Sequence, residues 1–375
     1  MLEIKQIQPT RSALRDFTQF QIDLYRGNGY YVPPLVSDDI EALSPDKNPA
    51  FDFCEAAYFM AYRDGMPVGR IAAIINSQVN RSCDSKICRF GFMDFIDDME
   101  VSRALFDAAE DWGRRKGMNK MVGPLGFTDM DREGLLVEGF EELSTMATNY
   151  NYPYYAGHVE AAGYVKESDW VEFLLQVPDK VPERYDRIAT LVKEKLNLRI
   201  QKYTSRKKAK AEIGHKLFRL INEAYKDLYQ YSQLTDRQID YYVDYYLGLV
   251  NLDLLTFVMD KDDNLVGLGI ALPSLSRGLQ KAQGRLLPFG WYHLLKALKG
   301  KNDRVDLLLV AVHPDYQNRG VNALMFQDLL PHFIRLGFKY AETNPEMETN
   351  AKVQSQWEVF NPRQHRRRRS YAKEI

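Results

Sequence analysis

The sequence predicts an α/β (α+β) protein of two similar domains in tandem. Three observations carry this. A strand–turn–strand unit occurs twice in register, a strand–helix–Gly–strand unit follows it each time, and a Pro-punctuated break separates two halves of opposite charge. With 375 residues, the chain has the length for roughly two to three ordinary domains. The domains read as 1–178 and 185–375, on either side of Gln176-Val-Pro-Asp-Lys-Val-Pro-Glu-Arg184. There Pro178 and Pro182 interrupt ladders and helices alike.

Taken in order, Tyr58 to Tyr62 reads as a strand, Arg63-Asp64-Gly65 as a tight turn and Pro67 to Ile74 as the returning strand. In the second half, Thr256 to Met259, Asp260 to Asn264 and Leu265 to Leu272 repeat the pattern, and Phe59–Gly69 and Phe257–Gly267 keep the same spacing. Asp-Gly and Asp-Asp-Asn are hairpin chemistry, and the flanking runs are rich in β-formers. Next, Phe90 to Phe95 and Val305 to Val312 read as strands leading into helices, Glu100 to Lys116 and Val321 to Leu336. Each helix stops at a glycine, Gly117 or Gly337, the residue that takes a left-handed end at least cost. A further strand starts after each. Ala323, Phe326, Leu330, Phe333 and Ile334 recur at helical spacing and form one apolar face for a sheet.

Composition narrows the function. The chain has 50 Lys and Arg, 51 Asp and Glu, 45% apolar and 12% aromatic residues, which is globular usage and excludes disorder. Residues 1–180 hold 18 basic and 29 acidic side chains, a net −11, so residues 181–375 carry +10. The two halves should attract each other, and the basic half could hold a polyanion. No apolar run approaches the ~18 residues of a bilayer span, so no membrane partner is expected. The first residues lack an apolar leader, and Cys54, Cys83 and Cys88 are too few for a zinc site or disulfide framework. A cytoplasmic, metal-free protein is the expectation.

The sharpest chemical signal is Val312-His-Pro-Asp-Tyr-Gln-Asn-Arg-Gly-Val-Asn-Ala-Leu324. A buried strand ends at His313-Pro314, and after a short polar loop a helix begins near Gly320. The first helical turn leaves backbone N–H groups unpaired, with the positive end of the helix dipole behind them. Gly320 permits close approach to the backbone, and Arg319 adds a full charge. Together they form an anion cradle suited to a pyrophosphate. The segment resembles the acyl-CoA-binding motif of the GNAT N-acyltransferase superfamily, Gln/Arg-x-x-Gly-x-Gly/Ala. Gln317, Gly320 and Val312-x-Pro314 match, and Asn322 stands where Gly or Ala is usual.

The resemblance implies two tandem GNAT-like domains, each a curved, mixed and mostly antiparallel sheet flanked by helices. It also implies splayed central strands and a cofactor whose pantetheine runs along Val310 to Val312. The loop contacts would come from Gln317, Asn318, Arg319, Gly320, Val321 and Asn322, with acetyl-CoA or another acyl-CoA as cosubstrate. In the first half, Asp97, Asp98 and Glu100 fall opposite this loop. Like charges at ~4 Å repel by about 1–4 kcal/mol per pair, so these residues should cap their helix, and this domain reads as a degenerate partner.

The family's thiolate donor is commonly a Tyr near the last crossover. Trp357 occupies that place here, and it can donate an N–H but cannot exchange its proton. Glu342 is the candidate base, directly or through water, and Asn344 is placed to orient substrate. Against Glu342 stands a pairing with a terminal arginine. Glu348 and Asn350 read as helix-capping residues, and His313 as strand-end geometry. The aromatic clusters Tyr150–Tyr155 and Tyr241, Tyr242, Tyr245 and Tyr246 read as packing between the domains. In the terminal strand, alternation puts Arg366 and Arg368 on one face, Arg367 and Arg369 on the other.

The function expected is acyl transfer from a CoA thioester to a small-molecule or peptide amine. The alternatives are a non-catalytic ligand-binding or sensor protein and a Fem-type aminoacyl transferase, the only reading under which a nucleic acid, tRNA, is a partner.

Overall fold

The computed structural model describes the backbone of residues 1–375 and the side chains of all but residues 245–249. The strands are β1 (Leu2–Ile7), β2 (Cys54–Arg63), β3 (Met66–Asn76), β4 (Ile87–Phe95), β5 (Lys120–Gly123), β6 (Leu135–Glu138) and β7 (Val165–Gln176) in the first half. The second half contributes β8 (Arg199–Gln201), β9 (Leu255–Met259), β10 (Leu265–Pro273), β11 (Arg304–Val312), β12 (Tyr340–Thr343), β13 (Glu346–Met347) and β14 (Arg363–Glu374). All join one sheet in the order β1-β2-β3-β4-β5-β14-β7-β12-β11-β10-β9-β8, with β6 on β14 and β13 on β7.

Local chemistry explains the repeated parts. The β2–β3 hairpin closes with Asp64 and Gly65 at φ 51° and 82°, and β9–β10 turns through Asp263 at φ 62°. These are left-handed positions that Asp, Asn and Gly tolerate. The helices Met99–Arg115 and Val321–Leu336 follow β4 and β11, and Gly117 and Gly337 sit beyond them at φ 78° and 80°. Val321–Leu336 buries Val321, Leu324, Met325, Leu329 and Phe333 against the sheet. Each such side chain contributes roughly 1.5–3 kcal/mol over exposure. β7 ends at Gln176 and the next helix starts at Glu183, with Pro178 and Pro182 in the connection between them.

At the centre of the sheet the halves exchange strands. The terminal strand β14 lies between β5 and β7, and β7 lies between β14 and β12. Each half therefore completes the other's sheet. The pairing is electrostatic as well as apolar. Glu172 on β7 accepts from Arg366 Nε at 2.7 Å and from Arg368 Nε at 2.6 Å, with all three buried. On the opposite face Asp169 accepts from Arg369 at 2.8 Å and Arg367 at 3.1 Å. The alternation along β14 is as the sequence predicts, and Glu172 and Asp169 belong to the first half. A buried charge pair of this kind is tolerable because each guanidinium also finds a backbone carbonyl, Leu143 for Arg366 and Asn149 for Arg368.

One packing expectation is corrected. Tyr150, Tyr152, Tyr154 and Tyr155 do not bridge the halves. They pack in the first-half core against Tyr25, Tyr31 and Phe95, because the loop from Asn151 folds back onto Leu136 through paired amide hydrogen bonds. Tyr242 packs on Phe218 within the second half. The side chains of Tyr245 and Tyr246 lie outside the described residues.

Candidate functional site

The site grows from a divergence of two parallel strands. β11 and β12 pair over Arg304–Leu307 and Tyr340–Thr343, then part. Beyond Leu307 only β10 flanks β11, and His313 N–H bonds the Val266 carbonyl. In an antiparallel ladder alternate residues face the partner. Val310 and Val312 therefore turn their N–H and C=O groups into the opened wedge, and Leu308, at a bulge between Leu307 and Leu309, turns its carbonyl there. Their three carbonyls are met by side chains: Asn344 Nδ2 to Leu308 at 2.8 Å, Tyr225 Oη to Val310 at 2.8 Å and Gln317 Nε2 to Val312 at 3.1 Å. No strand meets the N–H groups of Val310 and Val312. Asn344 Oδ1 is buried without a hydrogen-bond partner among the described residues. This edge can take an extended ligand bearing amide groups.

The loop after β11 opens at the end of the same edge. Pro314–Tyr316 forms a single turn capped by His313, whose Nδ1 accepts from Asp315 N–H at 3.3 Å. His313 thus shapes the strand end. Asn318 and Gly320 follow at φ 60° and 82°. Among the described residues, no hydrogen bond leaves the backbone N–H groups from Asn318 to Asn322. Arg319 is exposed beside them and forms no ion pair among the described residues. Bare amides, a helix N-terminus and a guanidinium are an arrangement that can receive an anion. The close approach to Gly320, expected for a ligand, is made by Val192: an added Cβ would lie 2.9 Å from its Cγ2. The helix Glu183–Leu196 packs on Val321–Leu336 and walls that side of the loop. Asn322 turns to Gln356, with Nδ2 2.7 Å from Oε1.

Glu346 is the titratable group the sequence reading missed. Its β13 strand pairs with β7, Glu346 opposite Val171, and both its oxygens accept from Trp357 Nε1, at 2.9 and 3.1 Å. Burial pushes its carboxyl up to about 8, against the lowering by the indole N–H. Tyr225 is near enough for Glu346 to act on it: burial first, with that charge adding to it, pushes its hydroxyl up to about 12. Trp357 itself is buried against Phe326. The sequence signal was an acid two residues past Asn344, with a Trp in the family's Tyr position.

Glu342 is committed elsewhere. It is buried, paired with Arg366 and, at 3.4 Å, with Arg304. Asp306 lies opposite it in register, raised by burial and then by the charge of Glu342. The terminal-arginine pairing weighed against catalysis is the one present. Asn350 caps Ala351–Gln354, while Glu348 pairs with Lys166 and Arg367.

The equivalent place in the first half is filled. β4 and β5 pair only over Ile87–Arg89 and Lys120–Val122, but the chain after β5 then lies on β4. Leu125 N–H bonds the Phe90 carbonyl at 2.8 Å, and a Cβ on Gly91 would lie 2.2 Å from the Leu125 carbonyl oxygen. The helix end is also occupied. Asp98 accepts from Glu100 N–H at 2.9 Å and Val101 N–H at 3.3 Å, and Arg63 neutralises Asp98 and Glu100. Asp98 caps, as expected, and Glu100 lies in the first turn with its carboxylate on Arg63.

The architecture is a tandem GNAT fold, and the comparisons agree. Over its whole length the chain superposes on 98% of a tandem GNAT protein from the clavulanic acid biosynthesis pathway, with a TM-score of 0.58 at 12% identity. It also superposes on 73% of a GCN5-related N-acetyltransferase from Anabaena variabilis ATCC 29413, with a TM-score of 0.51 at 10% identity. No family model matches. By sequence, 97% of the chain aligns with 94% of Protein YghO of Escherichia coli (strain K12), at 28% identity over 371 residues. It is 30% identical over 301 residues to the bacterial ceramide synthase of Caulobacter vibrioides (strain NA1000 / CB15N), covering 78% of this chain and 75% of that one. The chain belongs to the family of that bacterial ceramide synthase.

Proposed function

We propose that the chain is an acyl-CoA-dependent N-acyltransferase with one working site, in the second half. The observation that carries this is the edge of β11: N–H groups of Val310 and Val312 open to the wedge, continuous with unpaired amides from Asn318 to Asn322. A pantetheine arm along the first and a diphosphate at the second, with Arg319 beside it, use both. The bound thioester supplies an activated acyl carbon. The chain's residues then do three things. Asn344 and Tyr225 fix the edge by holding the carbonyls of Leu308 and Val310. The half-buried wedge restricts water. Glu346, rather than Glu342, receives the proton that the amine gives up as its N–C bond forms and the C–S bond breaks, and returns it to the leaving sulfur. A carboxyl with a pKa near 8 is matched to that exchange near neutral pH.

The bacterial ceramide synthase relative supports a choice of acceptor class. Ceramide is the amide of a long-chain amino alcohol, and we infer the same class of amine here. Met130, Leu143 and Met146 of the first half and Leu309 of β11 are partly buried on one apolar cluster that includes Leu308, which suits a hydrocarbon chain. Acetyl-CoA is the simplest donor. The domains then divide as 1–178, a partner that lends β7, and 185–375, which carries the cosubstrate. The test is incubation with acyl-CoA of several chain lengths and a panel of amines, read by mass spectrometry and thiol release. Amide from a long-chain amino alcohol, lost in Glu346→Gln with circular dichroism unchanged, is the expected result. Cosubstrate binding without amide from any amine would overturn it.

A further inference from the structure

Most large apolar side chains are covered, yet six within one short segment are not. Leu286 is 41% exposed, Leu287 77%, Phe289 69%, Trp291 50%, Tyr292 51% and Leu295 40%. They occupy the turn before the helix Gly290–Lys299 and the outer face of its first turns. Leu294, Ala297 and Leu298 on the inner face pack on the second-half core. The outward face of a surface helix is ordinarily polar. Here it is apolar over its first half and basic beyond, with Lys296 and Lys299 exposed.

The charge around this tip has one sign. Between Arg277 and Asn302 there are six Lys and Arg (Arg277, Lys281, Arg285, Lys296, Lys299 and Lys301) and no Asp or Glu. All six are exposed, and none forms an ion pair among the described residues. That contrasts with the basic run on β14, every arginine of which is paired. An aromatic and leucine tip ringed by free cations matches the layers of a bilayer surface. Leu and Phe reach the acyl boundary, Trp and Tyr sit at headgroup depth, and Lys and Arg meet lipid phosphates. Among the described residues no helix is long and apolar enough to cross a membrane.

We propose that residues 277–301 dock the protein, peripherally and reversibly, on an anionic lipid bilayer. The surface stands apart from the transferase reading and does not depend on it. A second copy of the chain fits less well, because two such rings would place like charges face to face.

The test is flotation of the intact protein with vesicles of phosphatidylethanolamine and phosphatidylglycerol, beside neutral phosphatidylcholine vesicles. Trp112, Trp170 and Trp357 are at most 7% exposed, so a blue shift in emission reports Trp291. The expected result is a blue shift and binding to the anionic vesicles, weakened by salt. Binding should fall by roughly tenfold or more in Lys296→Glu/Lys299→Glu/Lys301→Glu, and in Leu287→Asp/Phe289→Asp. Both variants lie on the surface, and unchanged circular dichroism confirms their folding. Absence of binding to anionic vesicles, or equal binding by either variant, would overturn the proposal. So would a dimer in sedimentation that both variants dissociate while vesicles are ignored.

Discussion

Trp357 gives its indole N–H to both carboxylate oxygens of Glu346, at 2.9 and 3.1 Å, in a site whose burial pushes that carboxyl up to about 8. The indole here serves an acid on β13, eleven positions earlier in the chain. This gives Glu346 a job that the isolated sequence position does not suggest.

If Glu346 takes the amine's proton, it acts as the carboxylate. Amide formation should rise with pH through about 8 and level above it. Glu346→Gln should lose about 10²-fold or more in rate, the ordinary range for a positioned base. Single-turnover thiol release across the pH range measures both. Stability should run the other way. The folded state holds this proton more tightly than the unfolded chain, whose ordinary value is 4.5. Stability from this group therefore declines as pH rises from 4.5 through about 8, and Glu346→Gln should flatten that decline.

Trp357→Phe keeps an aromatic ring against Phe326 but removes the donor. A hydrogen bond to the charged form favours ionisation. Its loss should therefore move the pH–rate midpoint to higher pH, with the plateau rate less affected than the midpoint. The same pH series on this variant checks it, and an unmoved midpoint would separate the indole from the proton chemistry.

Glu172 lies between Arg366 and Arg368 with no exposed surface on any of the three. Burial alone would raise its carboxyl; the guanidiniums outweigh that and hold it below the usual range. Glu172→Gln should destabilise the protein by about 3–5 kcal/mol, the cost of leaving buried charge uncompensated, in urea unfolding monitored by fluorescence. Because the folded value is depressed, this stability is present above the ordinary carboxylate pKa and is lost as pH falls through the depressed one.

Strand exchange makes a cut at the linker informative. Residues 1–178 hold β7 but lack β14, and the remainder holds β14 but lacks β7. Neither piece alone should give a cooperative unfolding transition, whereas the two co-expressed should copurify. Gel filtration and thermal unfolding of each piece and of the pair measure this.

What could be read in the sequence was local. The hairpins at Asp64-Gly65 and Asp260–Asn264, the helix ends at Gly117 and Gly337, the cap at Asp98 and the loop from Gln317 to Asn322 each depend on neighbours along the chain. The alternation of Arg366 to Arg369 was legible for the same reason. Long-range relations were not. Tyr225 meets the Val310 carbonyl from 85 positions away, and Glu346 owes its raised pKa to burial that outweighs the indole N–H of Trp357. The exchange of β7 and β14 requires knowing which sheet edges are left open. Gly320 shows the limit within a single motif: its backbone was legible, its neighbour Val192 was not. The tip at Leu287, Phe289 and Trp291 was invisible because a helix's apolar residues ordinarily mark its buried face.

The central claim is that the second-half loop, and not its first-half counterpart, holds the cosubstrate's diphosphate. Calorimetric titration of acetyl-CoA into the wild type, Arg319→Glu and Asp98→Ala tests this most directly. Arg319→Glu should weaken binding tenfold or more, about 1.4 kcal/mol or greater, and Asp98→Ala should bind as the wild type does. Undiminished binding by Arg319→Glu, or a loss confined to Asp98→Ala, would contradict the account.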